Sequence, residues 1–171
     1  IEGLKPKTGG NRLIWDMRYP GFKSFDGMVL YSSPNLGPKV TPGSYILKMT
    51  YNGVTMQKEF DILKDPRVPT SQEGYEEQLN FLLKVKNEVS RANQAVIDIR
   101  EIKEDMNYIK SKIKDNKDLE SIVEDYMKDL SDVENKIHMT KNQSRQDPLN
   151  YGIRINNLSL IHISEPTRRS M

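Results

Sequence analysis

The sequence predicts an α+β chain: an antiparallel β-sandwich over residues 1–67, a linker at 68–70, and a long antiparallel helical hairpin over 71–140. Three observations carry this. Apolar and polar residues alternate with period two on both sides of Asn52-Gly53. Prolines at 66 and 69 then interrupt the chain. Beyond them apolar residues recur at alternating spacings of three and four, the period of a packed helix.

In the first half, Leu13-Ile14-Trp15 reads as a strand, followed by a loop punctuated by Pro20, Gly21 and Gly27. Met28-Val29-Leu30-Tyr31 reads as another short strand, ended by Ser32-Ser33-Pro34-Asn35. The clearest element is a hairpin. Tyr45, Leu47 and Met49 alternate with Ile46, Lys48 and Thr50, and Val54, Met56, Lys58 and Phe60 continue the pattern beyond Asn52-Gly53. That pair tolerates the positive φ angles of a type I′ turn, which matches the twist of the strands it joins. Short strands, Pro-Gly turns and a single tryptophan together indicate an immunoglobulin-like sandwich, incomplete at its N-terminal side.

In the second half, Thr70 or Ser71 offers an N-cap with Glu73 in the first turn. Leu82, Val85, Val89, Ala92, Val96 and Ile99 form a heptad seam. It slips by one residue and resumes at Ile102, Met106, Ile109 and Ile113. The polar stretch 114–118 turns the chain, and a second seam follows at Leu119, Val123, Tyr126, Leu130, Val133 and Ile137. At 1.5 Å per residue, a first helix of about 40 residues is nearly twice as long as a second of about 22. The stretch from Leu82 to Val96 is therefore expected to need another cover: the β half, a second chain, or a further helix after the extended segment 141–157.

Composition excludes several chemistries. With no cysteine in the sequence, disulfides, thiolate zinc sites and cysteine nucleophiles are ruled out. A formal charge of +2 supplies no field to draw nucleic acid or anionic lipid. No run of eighteen apolar residues exists, so no membrane span is expected. The first residues lack an initiator methionine and a signal-peptide core, so the chain is expected to begin mid-protein.

No motif assigns a catalytic, cofactor-binding or metal-ligating residue. Asp98, Glu101, Glu104 and Asp105 cluster, but they interleave with Arg100, Lys103 and Lys110 as a solvated helix face does. His138 falls in the last turn of the second helix, where a cation complements the helix dipole. Among the aromatics, Trp15 with Tyr19 is the candidate platform for stacking on a sugar, although a tryptophan on a strand more naturally fills a sandwich core.

The segments Gly9–Phe22, Gly37–Gly53, Lys58–Val68 and Gln146–Asn157 form an ordered series. In it stand Asn11, Arg12, Trp15, Asp16, Arg18, Tyr19 and Pro20; then Gly37, Pro38, Val40, Pro42, Gly43 and Tyr45; then Asp65, Pro66 and Arg67. This series resembles the C-terminal region of bacterial sortilin-like β-propeller proteins with neuraminidase-type repeats, commonly labelled glycosyl hydrolases. The resemblance spans roughly residues 9–157. It implies a small immunoglobulin-like domain and a helical region placed after a propeller, in an exported protein. It brings no catalytic residue, because any hydrolytic site is expected in the propeller. A looser likeness to the immunoglobulin-like modules of flagellar hook-cap proteins and secretion-sorting tails bears on fold alone.

Within that resemblance, Pro42-Gly43 is expected to turn tightly into the Tyr45 strand. Asp16 and Arg18 are expected on the face opposite Trp15, and Asp65-Pro66-Arg67 to end the last strand and aim the first helix. The expected function is a non-catalytic accessory and interaction region. Its partners would be the propeller of the same chain and, through the helices, a second copy. The alternatives are a carbohydrate-binding module using Trp15, or a part that completes a glycoside hydrolase site through Asp16, Arg18 or the 20–27 loop.

The final residues stand apart. Leu158 to Arg168 resemble the in-frame translation of a transposase-type sequencing adapter. The stretch 158–171 is accordingly expected to be a non-native tail that replaces a helical partner. Without its two arginines and one glutamate the formal charge falls from +2 to +1.

Overall fold

A computed structural model describes residues 7–30, 35–113 and 116–155. In chain order the elements are β1 (Gly43–Tyr51), β2 (Val54–Ile62), α1 (Gln72–Lys112), α2 (Lys117–Ile137) and the single turn α3 (Pro148–Tyr151). The architecture is α+β: a two-stranded antiparallel sheet, then a long helix with a second helix folded back on it. The 158–171 tail lies outside the described residues, as do Tyr31 and residues 156–157.

The hairpin forms in the expected register, with Tyr51 opposite Val54 and Gly43 opposite Ile62. Asn52 and Gly53 take φ angles of 47° and 78°, the left-handed pair that a type I′ turn demands. Tyr45, Leu47, Met49 and Tyr51 share one face with their cross-strand partners Phe60, Lys58, Met56 and Val54. The other face carries Ser44, Lys48, Thr50, Thr55, Gln57, Glu59 and Asp61, with Ile46 its one large apolar residue.

Among the described residues two expected strands are not seen. The run Leu13–Trp15 carries no ladder, because Met17 adopts φ 58° and turns the chain out of extended geometry. The chain pairs only after that kink: Arg18 bridges Lys39, Tyr19 N donates to Pro38 O at 2.9 Å, and Val40 N donates to Met17 O at 2.9 Å. Among the described residues Met28–Leu30 likewise has no strand partner. It is held instead as part of a loop, whose turn Met28 N closes on Phe25 O at 3.3 Å.

Ser71 is the N-cap of α1, its hydroxyl accepting from Gly74 N at 3.2 Å. Asn116 caps α2 in the same way through Leu119 N, also at 3.2 Å. The helices run antiparallel, with Lys110 paired to Glu120 and Glu124 near the turn and Lys103 paired to Glu134 further along.

The seam differs from its expected phase. No slip follows Ile99. The inward stripe continues at Val96, Ile99, Lys103, Met106, Lys110 and Ile113, leaving Ile102 and Ile109 44% and 48% exposed. Lysine stems line a helix seam while their ammonium groups reach outward, and here those groups find carboxylates on α2. On α2 the inward stripe is Glu120, Val123, Met127, Leu130, Glu134 and Ile137, and Leu119, Tyr126 and Val133 stand on its flank.

The upper part of α1 is covered by the β half. Phe22 and Val89 are buried together, with Met28, Leu30 and Val85 packed around them. The 22–28 loop thus occupies the stretch of seam that α2 is too short to reach.

Candidate functional site

The sequence-predicted motif residues form a scaffold around the base of the hairpin. Trp15 lies half-buried and edge-on to Tyr45 and Phe60, with ring centroids 6.0 and 6.3 Å away, while Tyr45 and Phe60 stack at 6.1 Å. Its indole N–H donates to Arg18 O at 3.2 Å. Edge-to-face packing and a satisfied N–H both fix the ring in place. Tyr19 is exposed at its ring and held by its backbone.

Asp16 and Arg18 do not project freely from a strand face. The Asp16 carboxylate accepts from Arg18 N at 3.1 Å, across the Met17 kink, and the Arg18 guanidinium donates to Gly37 O at 2.8 Å. Pro20 follows, and a Cβ added at Gly37 would collide with the carbonyls of Tyr19 and Pro20. Asn11 closes a local turn on Lys7 and Gly9, and Arg12 is exposed.

Pro42 O accepts from Gln72 Nε2 at 3.1 Å, tying the hairpin base to the first turn of α1. Gly43 starts β1 at φ 149°, and the Tyr45 hydroxyl donates to Thr41 O at 2.6 Å. Asp65, Pro66 and Arg67 close a turn on themselves: Asp65 accepts from the Arg67 backbone at 3.0 Å and from its guanidinium at 3.0 and 2.7 Å. Those bonds hold the Asp65 carboxyl below its ordinary range.

A second constellation was not legible in the sequence. It sits where the 22–28 loop, the middle of α1 and the end of α2 meet. Arg100 donates to Glu134 Oε1 at 2.9 Å and to Asp26 O at 2.7 Å, and approaches His138 Nε2 at 3.3 Å. Its guanidinium also lies over the Phe25 ring, 4.9 Å from the centroid, and that ring packs on the His138 imidazole. Lys103 takes the second oxygen of Glu134 at 3.2 Å. Glu134 and His138 are 4% and 3% exposed.

The electrostatics follow from this packing. Burial pushes the Glu134 carboxyl up, but hydrogen bonds and charges from Arg100 and Lys103 outweigh it and hold the group below its ordinary range. For His138, burial pushes the imidazole down and the Arg100 charge pushes it further, with Glu134 offsetting only part. Both effects work against a cation at this helix end. His138 is the extended C-cap residue of α2, its ring turned inward.

About two turns above, the loop is tied to α1 by polar contacts. Asn93 Nδ2 donates to Lys23 O at 2.7 Å and Lys23 N donates to Ser90 Oγ at 3.1 Å, while Lys23 Nζ pairs with Gln94. Asn93 is fully buried. The expected seam placed Ala92 inward; the adjacent asparagine takes that place.

Asp98, Glu101, Glu104 and Asp105 are all exposed. Among the described residues no group of three or more histidine or acidic side chains is placed to hold a metal ion, and no helix is long and apolar enough to cross a membrane. Compared with family models, with curated proteins and with solved structures, the chain matches none.

Proposed function

We propose that this chain is a non-catalytic scaffold and interaction region, whose sheet packs against further protein while the helical pair holds it in position. The observation that carries this reading is the open face of the hairpin. Leu47, Met49, Tyr51, Val54 and Met56 lie side by side on it and are 50–63% exposed. A two-stranded hairpin is marginal on its own, and a contiguous apolar face of this kind marks a surface that another layer covers. Trp15 covers only its base, at Tyr45 and Phe60.

The finer form of the proposal makes the hairpin one layer of an immunoglobulin-like sandwich. Tyr45 supports it. A tyrosine hydroxyl bonded to backbone a few residues upstream is a device of strand corners in such sandwiches. The ordered motif series adds that the neighbouring unit would be a sortilin-like β-propeller in an exported protein. A second copy would meet the helices through Ile102, Ile109, Leu119, Tyr126 and Val133. These residues each sit one position before the inward stripe, so they share one side of an antiparallel pair.

The test is a pair of charge substitutions on the hairpin face, Leu47→Lys and Met56→Lys. The unsubstituted 171-residue chain is expected to bind an apolar dye, and the double variant to lose that binding. A chain that binds no dye and is unaffected by the substitutions would overturn the reading. Sugar-dependent change in Trp15 fluorescence would favour the carbohydrate-binding alternative instead.

A further inference from the structure

We infer that Arg100, Glu134 and His138 form a proton-operated latch, which fastens the 22–28 loop to the helical pair at neutral pH and releases it on mild acidification. The inference goes beyond the scaffold role and does not depend on it.

The geometry of one guanidinium carries it. Arginine has donors only, so the 3.3 Å approach of its NH2 group to His138 Nε2 is a hydrogen bond only if Nε2 carries no proton. A hydrogen bond at this contact requires a neutral His138 with its proton on Nδ1. The same guanidinium donates to Asp26 O and covers the Phe25 ring. Loop placement is thus linked, through a single side chain, to the protonation state of an imidazole at the end of α2.

Protonation at Nε2 sets two donors and two positive charges against each other in a buried site. The charges facing the imidazole come from each element packed on it. From α1 there are Arg100 directly and Lys103 through Glu134; from α2 there is Glu134; the loop offers the Phe25 ring and the Asp26 carbonyl, with the Asp26 residue itself exposed. Among the described residues Glu134 is the facing carboxylate, and both its oxygens already hold cations. A proton added at Nε2 points at the Arg100 guanidinium, so Arg100 or His138 must move, and Phe25 and Asp26 lose their anchor.

The direction follows by linkage. A histidine whose folded form resists protonation contributes stability that is complete above the ordinary imidazole value of 6.5 and is lost as pH falls below it. Glu134 is held below its own ordinary value of 4.5, so its loss lies at lower pH and is separable.

The experiment is an NMR titration of the 171-residue chain from about pH 7.5 to about pH 5, the interval in which histidine titrates. It follows the imidazole nitrogens together with amide exchange corrected for intrinsic rates. His138→Gln identifies which of the two histidine signals is His138. Its carboxamide oxygen can accept from Arg100 and does not titrate. At the upper pH His138 is expected as the Nδ1–H form. As it protonates, amides of the 22–28 loop should lose protection by about tenfold or more, the equivalent of one pKa unit of coupling. The 43–62 hairpin should be unchanged, and in His138→Gln the loop should keep its protection throughout. An Nε2–H form at the upper pH, loop protection indifferent to His138 protonation, or the same loosening in His138→Gln would overturn the latch. If the variant does not fold, the tautomer and the coincidence of the two transitions in the unsubstituted chain still decide.

Discussion

Asn93 on α1 donates through its side-chain amide to the backbone carbonyl of Lys23 at 2.7 Å, bridging residues 70 apart in sequence. The same amide also touches the Met28 sulfur at 3.6 Å. A fully buried asparagine in a helix seam thus serves as the docking point for a loop. It satisfies a carbonyl that would otherwise be taken out of water without a partner.

Asn93→Ala leaves that carbonyl unpaired beneath Phe22 and Met28. The expected loss is about 0.5–1.5 kcal/mol, the net contribution of a typical hydrogen bond. Urea unfolding followed by far-UV circular dichroism would read it as a lower midpoint. A midpoint equal to that of the unsubstituted chain would show that the loop does not depend on this bond.

Gly37→Ala is expected to break the pairing of residues 17–19 with 38–40. Its Cβ would run into backbone carbonyls at Tyr19 and Pro20, which cannot swing aside as a side-chain tip can. Overpacking of this kind costs roughly 1–3 kcal/mol or more. The measurable consequence is a Trp15 fluorescence change, because the indole is anchored on Arg18 O in the same segment.

Gly53→Val places a β-branched residue at φ 78°, in the left-handed region. The expected penalty is about 1–2 kcal/mol, from the clash of Cβ with the following carbonyl oxygen. Exchange of the β1 and β2 amides should accelerate while α1 amides stay protected. Asn52→Gly, by contrast, keeps the turn geometry available and should leave hairpin exchange little changed.

Glu134→Gln leaves Arg100 and Lys103 facing an amide in place of a carboxylate. Losing hydrogen bonds to a charged group is expected to cost about 1.5–3 kcal/mol near neutral pH. The carboxyl titrates below its ordinary range when folded, so its stabilising contribution is present above about pH 4.5 and lost as pH falls through the folded value. The gap between variant and unsubstituted chain in urea should therefore close on acidification. A gap independent of pH would show that the carboxylate charge is not what holds the joint.

The hairpin and both helices were legible because their signals are local. Asn52-Gly53 sets its own φ angles, Ser71 caps the helix that follows it, and period identifies the elements between, whereas the Asn116 cap inside the expected turn 114–118 emerged only from the structure. Helix phase was less legible. Ile102 and Ile109 read as seam by hydrophobicity, yet Lys103 and Lys110 line it, because α2 offers carboxylates where their ammonium groups emerge. The missing strand at Leu13–Trp15 has a similar cause. Nothing in Met17 itself announces a left-handed φ; it arises where Arg18 pairs with Lys39 and Trp15 turns onto Tyr45 and Phe60.

Residue types and their spacing by themselves determined the α+β order, the hairpin register, the start of the first helix and the exclusion of cysteine chemistry. Each depends on neighbours within a few positions. Only the tertiary structure decided that the 22–28 loop covers Val89 and Asn93, and that Arg100, Glu134 and His138 converge with Phe25. Those contacts join residues tens of positions apart, and burial changes what they are. A surface-type arginine becomes a three-segment tie, and a helix-terminal histidine becomes a buried one whose ring faces that arginine.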